Sequence, residues 1–266
     1  MPKAYRKKER PVQFHKKNSI AYLTLNRPDL LNTINKEMLD QLGHLLETIK
    51  SDDTVLSVII TGAGGKAFSA GADIEFFSSA DPLEVRARAQ LAVETYSRIE
   101  HLGKPVIAAI NGYALGGGLE LAEACTLRIA VNTAKLGHPE VRIGAIAGWG
   151  GTTRLPRLVG KGRAAELLLT GRMITAEEAL SMGLLNRIVE PEDLMKESEA
   201  LMQDILSQAP LAVKLTWEAM HKGLDMSLDE SARLGADYFG LVAITEDFKT
   251  GTKAFLAKHP PVFKGK

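Results

Sequence analysis

Short runs of apolar residues without polar alternation are the feature that most constrains this fold. They lie at residues 55–61 and 106–110, and a further predicted strand lies at 127–131. A strand without polar alternation is typically buried on both faces, and strands that alternate with helices pair in parallel through crossovers. Helical patterns separate these runs, so the sequence predicts an α/β fold.

The rest of the chain divides into two regions. Residues 12–25 predict a β-hairpin, and the spacing of apolar residues predicts helices from Asn35 and over residues 83–102. After Pro191 the patterns at 194–206, 211–224 and 228–258 are all helical, with no strand between them. We therefore expect an α/β core over residues 1–195 and a helical region over 196–266.

Charge and cysteine content exclude several classes of protein. The 266 residues carry a formal net charge of +1, so the clustered basic surface of a nucleic-acid-binding protein is not expected. The only cysteine, Cys125, rules out an internal disulfide or a Cys-rich zinc site and fits a reducing, cytoplasmic location. No histidine pair has metal-ligand spacing, and no apolar run reaches the roughly 18 residues of a membrane span. The basic N-terminus predicts a solvated leader rather than a targeting peptide.

Glycine-containing loops follow the predicted strands. The first, residues 62–67, fits the dinucleotide fingerprint G-x-G-x-x-A, with Asp81 near the position of the acidic residue. That motif requires a helix to open within the glycines, whereas residues 68–72 continue small and flexible. The dinucleotide interpretation is therefore the weaker one.

The second loop contains Gly116, Gly117 and Gly118 and is followed by Glu120. If a helix starts at the glycines, the N–H of Gly117 has no partner within that helix, and Glu120 returns to the same face one turn later. A backbone donor and a carboxylate would then share one pocket, where the helix dipole favours negative charge. The alternative is that Glu120 only caps or solvates the first turn.

The third loop offers a second carboxylate. Glu140 follows His138 and Pro139, and Trp149 lies a few residues further on in a glycine-rich stretch. Two carboxylates facing one substrate are the minimal set for general acid–base chemistry. Taken alone, Glu140 could equally be a surface residue, and Trp149 could be core packing or the lining of a pocket.

Together these segments resemble the crotonase (enoyl-CoA hydratase/isomerase) superfamily. The matching segments, in order, are FSAGAD at 68–73, NGYALGGGLE at 111–120, PEV at 139–141, GGT at 150–152, RL at 154–155 and LTG at 169–171. The resemblance implies a spiral of repeated ββα units followed by a C-terminal helical region used for trimerisation. It also implies an acyl-CoA substrate, no further cofactor, and a homotrimer or a homohexamer built as a dimer of trimers.

The resemblance also implies roles for individual residues. The N–H groups of Ala72 and Gly117 match the family's oxyanion hole, and Glu120 and Glu140 match the two glutamates of its hydratases. By that analogy Glu120 acts on the water and Glu140 delivers the proton to the α-carbon. The matching substrate- and coenzyme A-binding positions are Leu31, Ala70, Asp73, Ile74, Gly116, Trp149, Phe255 and Lys258. Lys258 could instead be a solvated helix end.

The activity that this resemblance implies is reversible syn hydration of a 2-enoyl-CoA, as in fatty-acid β-oxidation. Two alternatives remain within the family: an enoyl-CoA isomerase and a specialised hydroxyacyl-CoA dehydratase. A non-catalytic acyl-CoA- or RNA-binding module is a third. The chain departs from many relatives at Ala147, Glu123 and Thr126, and we expect Glu123 to face away from Glu120.

Overall fold

A computed structural model describes residues 10–266 of the chain. The first nine residues, which carry most of the predicted basic leader, lie outside the described residues. The chain forms two compact units, one ending at Ser198 and the other running from Glu199 to Lys266.

The first unit contains all the strands that the structure describes, and its helices alternate with them. The strands are β1 (Val12–Lys17), β2 (Ile20–Leu25), β3 (Ser57–Gly62), β4 (Ala67–Ser69), β5 (Val106–Ile110), β6 (Tyr113–Leu115), β7 (Leu127–Val131), β8 (Lys135–Gly137), β9 (Met173–Thr175) and β10 (Arg187–Val189). The helices are α1 (Lys36–Ser51), α2 (Ile74–Phe77), α3 (Pro82–Glu100), α4 (Gly117–Ala124), α5 (Gly151–Val159), α6 (Lys161–Thr170) and α7 (Ala176–Ser181). Short 3-10 helices span Pro28–Leu30, Pro139–Ile143 and Pro191–Asp193, and α8 (Leu194–Leu206) contains the division between the two units.

From β3 to β8, successive strands alternate between two sheets. A six-stranded sheet has the order β1-β2-β3-β5-β7-β10 and is parallel except for the β1–β2 hairpin. A four-stranded sheet has the order β4-β6-β8-β9. The pairs β3–β4, β5–β6 and β7–β8 each place one strand in each sheet before the chain continues into helix. This repeat is the predicted ββα spiral, and the α/β fold class is confirmed.

Burial explains why the longer strands were predictable. All five residues of β5 and the first four of β3 are buried, as the absence of polar alternation predicted. The predicted hairpin is confirmed as β1–β2, and α1 begins after Asn35, whose side chain accepts a hydrogen bond from the N–H of Met38.

The loop after β3 differs from its prediction. Residues 67–69 form β4 rather than a continuous flexible loop, and no helix opens within the glycines. Asp81 caps α3 through the N–H groups of Leu83 and Glu84. The dinucleotide interpretation is therefore wrong, because the fingerprint's helix is replaced by a strand and its acidic residue is a helix cap.

The second unit, described by itself, continues with α9 (Pro210–Gly223), α10 (Leu228–Ala243) and α11 (Glu246–Leu256). The prediction of a single helix over 228–258 is wrong. The first helix, α10, ends before Ile244, and Thr245 caps α11 by accepting a hydrogen bond from the N–H of Phe248. Asp247 is buried and accepts hydrogen bonds from the N–H groups of Lys264 and Gly265, which holds the C-terminal segment against α11.

None of the helices in the described part of the chain is long and apolar enough to cross a membrane.

Candidate active site

Two backbone N–H groups lie close together where α4 begins. A Cβ atom built on Gly117 would lie 3.5 Å from the nitrogen of Ala72, and one built on Gly71 would lie 3.4 Å from the nitrogen of Gly117. Gly71 has φ +100°, a conformation that favours glycine, so the chain can pass this close to α4. Within residues 10–266 neither the Ala72 nor the Gly117 N–H has a protein acceptor. The two donors are therefore free to bind one oxygen.

Glu120 lies one turn into α4 with its carboxylate buried. Its Oε1 atom accepts hydrogen bonds from the N–H groups of Trp149 and Gly151, both at 2.8 Å. Burial raises the pKa of Glu120 to about 7, although the hydrogen bond from Gly151 and the charge of His138 oppose the rise. Glu120 thus binds the loop before α5 rather than capping α4. At neutral pH it can either accept or donate a proton.

Glu140 approaches the same helix start from the 3-10 helix Pro139–Ile143. A Cβ atom on Gly116 would lie only 2.8 Å from Glu140 Oε1, and Gly116 has φ +48°. The Glu140 side chain is 16% exposed, and its Oε2 atom is buried with no hydrogen-bond partner among the described residues. Glu140 is therefore not a solvated surface residue, and one of its oxygens is free for chemistry.

His138 forms a buried pair that the sequence did not indicate. The Nε2 atom of His138 lies 2.8 Å from Glu123 Oε1, and neither side chain is exposed. Burial lowers the pKa of His138, but the charge of Glu123 and its hydrogen bond outweigh that effect and raise the pKa to about 10. The expectation that Glu123 faces away from Glu120 is wrong. Both side chains are buried beside the same His138 imidazole.

Aromatic side chains form a wall beside the backbone donors. Trp149 is buried, and its ring leaves no room for a side chain at Gly117, where a Cβ atom would lie 2.6 Å from its Cε3 atom. Tyr96 packs edge-on against Trp149, and its hydroxyl donates a 2.8 Å hydrogen bond to the Gly117 carbonyl. Phe77 lies on another side, with ring centroids 6.4 Å apart. Trp149 is therefore core packing and at the same time a neighbour of the predicted oxyanion hole.

An ion pair fixes the loop that carries Trp149. Arg154 binds both carboxylate oxygens of Glu100, at 2.8 and 2.7 Å, and its Nη1 atom donates to the Trp149 carbonyl at 3.0 Å. Gly150 leaves the space for this guanidinium, since a Cβ atom there would collide with Nη1. The sequence showed Arg154 only as part of a family segment and did not indicate Tyr96, because their roles depend on contacts that are remote along the chain.

Four of the residues predicted to bind coenzyme A lie together. The Ala70 N–H donates to the Leu31 carbonyl at 2.9 Å, and the Asp73 N–H donates to the Ile34 carbonyl at 3.1 Å. One short backbone pairing next to Ala72 therefore has Leu31 on one side and Ala70 and Asp73 on the other. Ile74 follows directly as the first residue of α2. Asp73 also pairs with Arg27 at 3.0 Å.

Phe255 and Lys258 belong to the second unit. Phe255 is 83% exposed near the end of α11, and Lys258 follows that helix with φ +57°. Both the coenzyme A role and the solvated helix end remain predictions for Lys258.

The other departures from relatives are structural in this chain. Ala147 is buried, and the Thr126 hydroxyl accepts a hydrogen bond from the N–H of Val106. Cys125 is buried, and burial raises the pKa of its thiol to about 12, so it packs as an apolar residue. Among residues 10–266 no cluster of His, Cys, Asp and Glu side chains could hold a metal ion.

Comparison with known proteins places this geometry in a family. A sequence model of the enoyl-CoA hydratase/isomerase family matches residues 15–266. The chain belongs to that family. The resemblance seen in the sequence is therefore confirmed.

Members of the enoyl-CoA hydratase/isomerase family are similar over nearly the whole chain. A crotonyl-CoA hydratase of Syntrophomonas wolfei is 44% identical over 96% of this chain and 98% of its own length. A short-chain-enoyl-CoA hydratase of Clostridium acetobutylicum is 43% identical over 93% of this chain and 95% of its own. The crystal structure of an enoyl-CoA hydratase from Bacillus anthracis superposes with a TM-score of 0.92 at 38% identity, covering 96% of this chain and all of that one.

Proposed function

We propose that this protein is an enoyl-CoA hydratase, a lyase that adds water reversibly to a 2-enoyl-CoA to give a 3-hydroxyacyl-CoA. The observation that carries the proposal is the pair of carboxylates, Glu120 and Glu140, beside two free backbone N–H groups at the start of α4. Relatives whose names specify this reaction share more than 40% identity with the chain.

The N–H groups of Ala72 and Gly117 would bind the thioester oxygen. Addition at C3 moves negative charge onto that oxygen as an enolate, and fixed donors in a water-poor site stabilise it. Such a donor is worth on the order of 10²–10³ in rate. The N-terminus of α4 adds to this stabilisation, because the helix dipole favours negative charge there.

The two glutamates would divide the proton transfers. The ionised Glu120 takes a proton from water while the water oxygen bonds to C3 and the C2–C3 π electrons move into the enolate. Protonated Glu140 then gives its proton to C2, and the enolate electrons form the new C–H bond. In sum one water is added, and the proton gained by Glu120 must return to Glu140 before the next turnover. The pKa of Glu120, at about 7, suits a group that gains and loses a proton in each cycle.

We further propose that the acyl group is short. Trp149, backed by Tyr96 and Phe77, closes the space beside Gly117. Two relatives named for crotonyl-CoA and short-chain enoyl-CoA share 44% and 43% identity with the chain. The thioester would extend past the backbone of Leu31, Ala70, Asp73 and Ile74, where the coenzyme A moiety is expected.

Assembly and location are also part of the proposal. The second unit exposes large apolar side chains, including Leu228, Ile244 and Leu256 at 86%, 75% and 80%. Such a surface favours self-association, and we propose a homotrimer or a dimer of trimers working in the cytoplasm. Light scattering on the purified protein tests the assembly, and a monomeric mass would contradict it.

Product analysis tests the reaction. Purified protein is incubated with crotonyl-CoA and with a ten-carbon 2-enoyl-CoA, and the products are analysed by mass spectrometry. The proposal predicts a product heavier by one water, formed faster from crotonyl-CoA. A product of unchanged mass with a shifted double bond would identify an isomerase instead. Equal rates for both chains would contradict the short-acyl proposal alone.

A further inference from the structure

His138 and its two carboxylate neighbours contain unpartnered polar atoms, and the proposed chemistry gives His138 and Glu123 no role. Within residues 10–266, buried side-chain atoms without a hydrogen-bond partner include Glu123 Oε2, His138 Nδ1 and Glu140 Oε2. Buried polar atoms normally have partners, so three such atoms in contacting residues call for an explanation. His138 links them, because its Nε2 atom donates to Glu123 and its Nδ1 atom faces Glu140 Oε1 at 3.8 Å.

The imidazole is surrounded by charge from several elements. Glu120 and Glu123 face it from α4, and Glu140 faces it from the 3-10 helix. The wider set of charged and titratable groups around these acids comprises Arg128 from β7, Arg154 from α5 and Tyr96 from α3. Arg128 is committed to the carbonyls of Ala122, Cys125 and Leu184, and Arg154 is committed to Glu100 and Trp149. His138 is therefore the cationic group that lies directly against the glutamates.

We propose that His138, oriented by Glu123, is a positioning residue that serves as a fixed counter-ion for Glu120 and holds Glu140 in place through its Oε1 atom. The inference rests on the proposed hydratase function, since it assigns His138 to the two glutamates of that reaction. Glu123 fixes the ring by taking one N–H, which leaves the other N–H aimed at Glu140. Carboxylate–imidazole pairs of this kind commonly set which nitrogen is available and where it points.

The same cation acts on Glu120. A Cβ atom on Gly151 would lie 2.8 Å from His138 Cε1 and 3.1 Å from Glu120 Cγ, so imidazole and glutamate flank one glycine. The charge of His138 lowers the pKa of Glu120 against the effect of burial. Without that charge Glu120 would hold its proton to higher pH, and a smaller fraction of it would be ionised and able to take a proton from water at neutral pH.

Substitution of each partner tests the proposal. His138→Gln removes the charge but keeps a side chain that can hydrogen-bond to Glu123. Glu123→Gln removes the anion that keeps His138 protonated, and burial then favours the neutral imidazole. The matched control is His44→Gln, the same substitution at an exposed histidine of α1. Thermal unfolding and binding of butyryl-CoA, a saturated analogue, establish that each variant is folded and binds.

The expected result separates positioning from packing. With crotonyl-CoA, His138→Gln lowers kcat about 10- to 100-fold, as misplacement of a reacting group does, while KM changes less than about threefold. The acid limb of the profile of kcat/KM against pH moves to higher pH, because the cation that lowers the pKa of Glu120 is gone. A double variant that combines His138→Gln with Glu123→Gln has about the same kcat as each single variant, since either change alone removes the same cation. His44→Gln matches the wild type.

Two outcomes would overturn the proposal. One is a folded His138→Gln variant whose kcat and pH profile superimpose on those of the wild type. The other is a loss of stability in both variants with unchanged kcat, which would make the pair structural only. An inactive wild type would instead contradict the proposed function. In that case ¹⁵N NMR of His138 still decides the inference: it predicts an imidazolium up to pH values near its pKa of about 10 in the wild type, and a neutral ring at pH 8 in Glu123→Gln.

Discussion

Replacing Glu120 by Gln should make the protein more stable in alkaline solution while removing its activity. Gln has nearly the same shape, and its side-chain oxygen can still accept the two 2.8 Å hydrogen bonds from Trp149 and Gly151. The substitution therefore removes a proton-binding group and a buried charge while leaving the packing in place.

The magnitude follows from the pKa of Glu120. Burial raises that pKa from 4.5 to about 7 in the folded protein, so the folded chain binds the proton more tightly than the unfolded chain does. Between these two pH values stability falls as pH rises, and above them the ionised group costs about 3 kcal/mol. Below pH 4.5 the group is protonated in both states and costs nothing. Gln pays no such cost at any pH.

Thermal unfolding of the wild type and Glu120→Gln, at equal protein concentration, measures the difference. At about pH 8.5 the variant should unfold roughly 5–10 °C higher than the wild type, and the gap should close towards pH 5. The gain in stability should be accompanied by loss of hydration activity, as expected when a group needed for function destabilises the fold. A gap that is independent of pH, or a variant less stable than the wild type at pH 8.5, would refute this reasoning.

Two further predictions concern neighbouring groups. In the crotonyl-CoA assay, Gly117→Ala should lower kcat about 100-fold, because the added Cβ atom would lie 2.6 Å from the Trp149 ring and displace the donor N–H. The control is Gly162→Ala, which should keep full activity because a Cβ atom there meets nothing within 4 Å. Activity retained in Gly117→Ala would argue against that donor. Cys125 should resist a thiol reagent in the folded protein and react on unfolding, since burial raises the pKa of its thiol to about 12. Stoichiometric labelling of the folded protein would contradict the buried position of Cys125.

The fold could be predicted where the sequence pattern is long. The apolar runs of β3 and β5 and the alternating hairpin β1–β2 are each five or six residues, long enough for their period to be seen. Strands β4, β6 and β8 are three residues each and lie among glycines, so no period could reveal them. The break between α10 and α11 was missed because the apolar pattern continues through it. The local signal that marks this break is Thr245, which caps α11 by accepting a hydrogen bond from the N–H of Phe248.

The candidate site could be predicted in part. Spacing alone put the Gly117 N–H and Glu120 on one face of a helix. The sequence also offered Glu140 as a second carboxylate but left a surface residue as the alternative, and its specific role came from the family resemblance. The Glu123–His138 pair escaped prediction because its members are 15 residues apart and belong to different elements. A histidine that follows a short strand carries no periodic signal, so only the folded chain shows that it meets a buried acid.

Hydration of crotonyl-CoA by the wild type and by Glu140→Gln, side by side, tests the central proposal most directly. Loss of the enoyl-thioester ultraviolet absorbance reports the reaction, and butyryl-CoA binding shows that the variant site is intact. The proposal predicts rapid loss of absorbance in the wild type, very slow loss in Glu140→Gln, and equal binding by both. Full activity in Glu140→Gln, or no reaction in a wild type that binds butyryl-CoA, would contradict it.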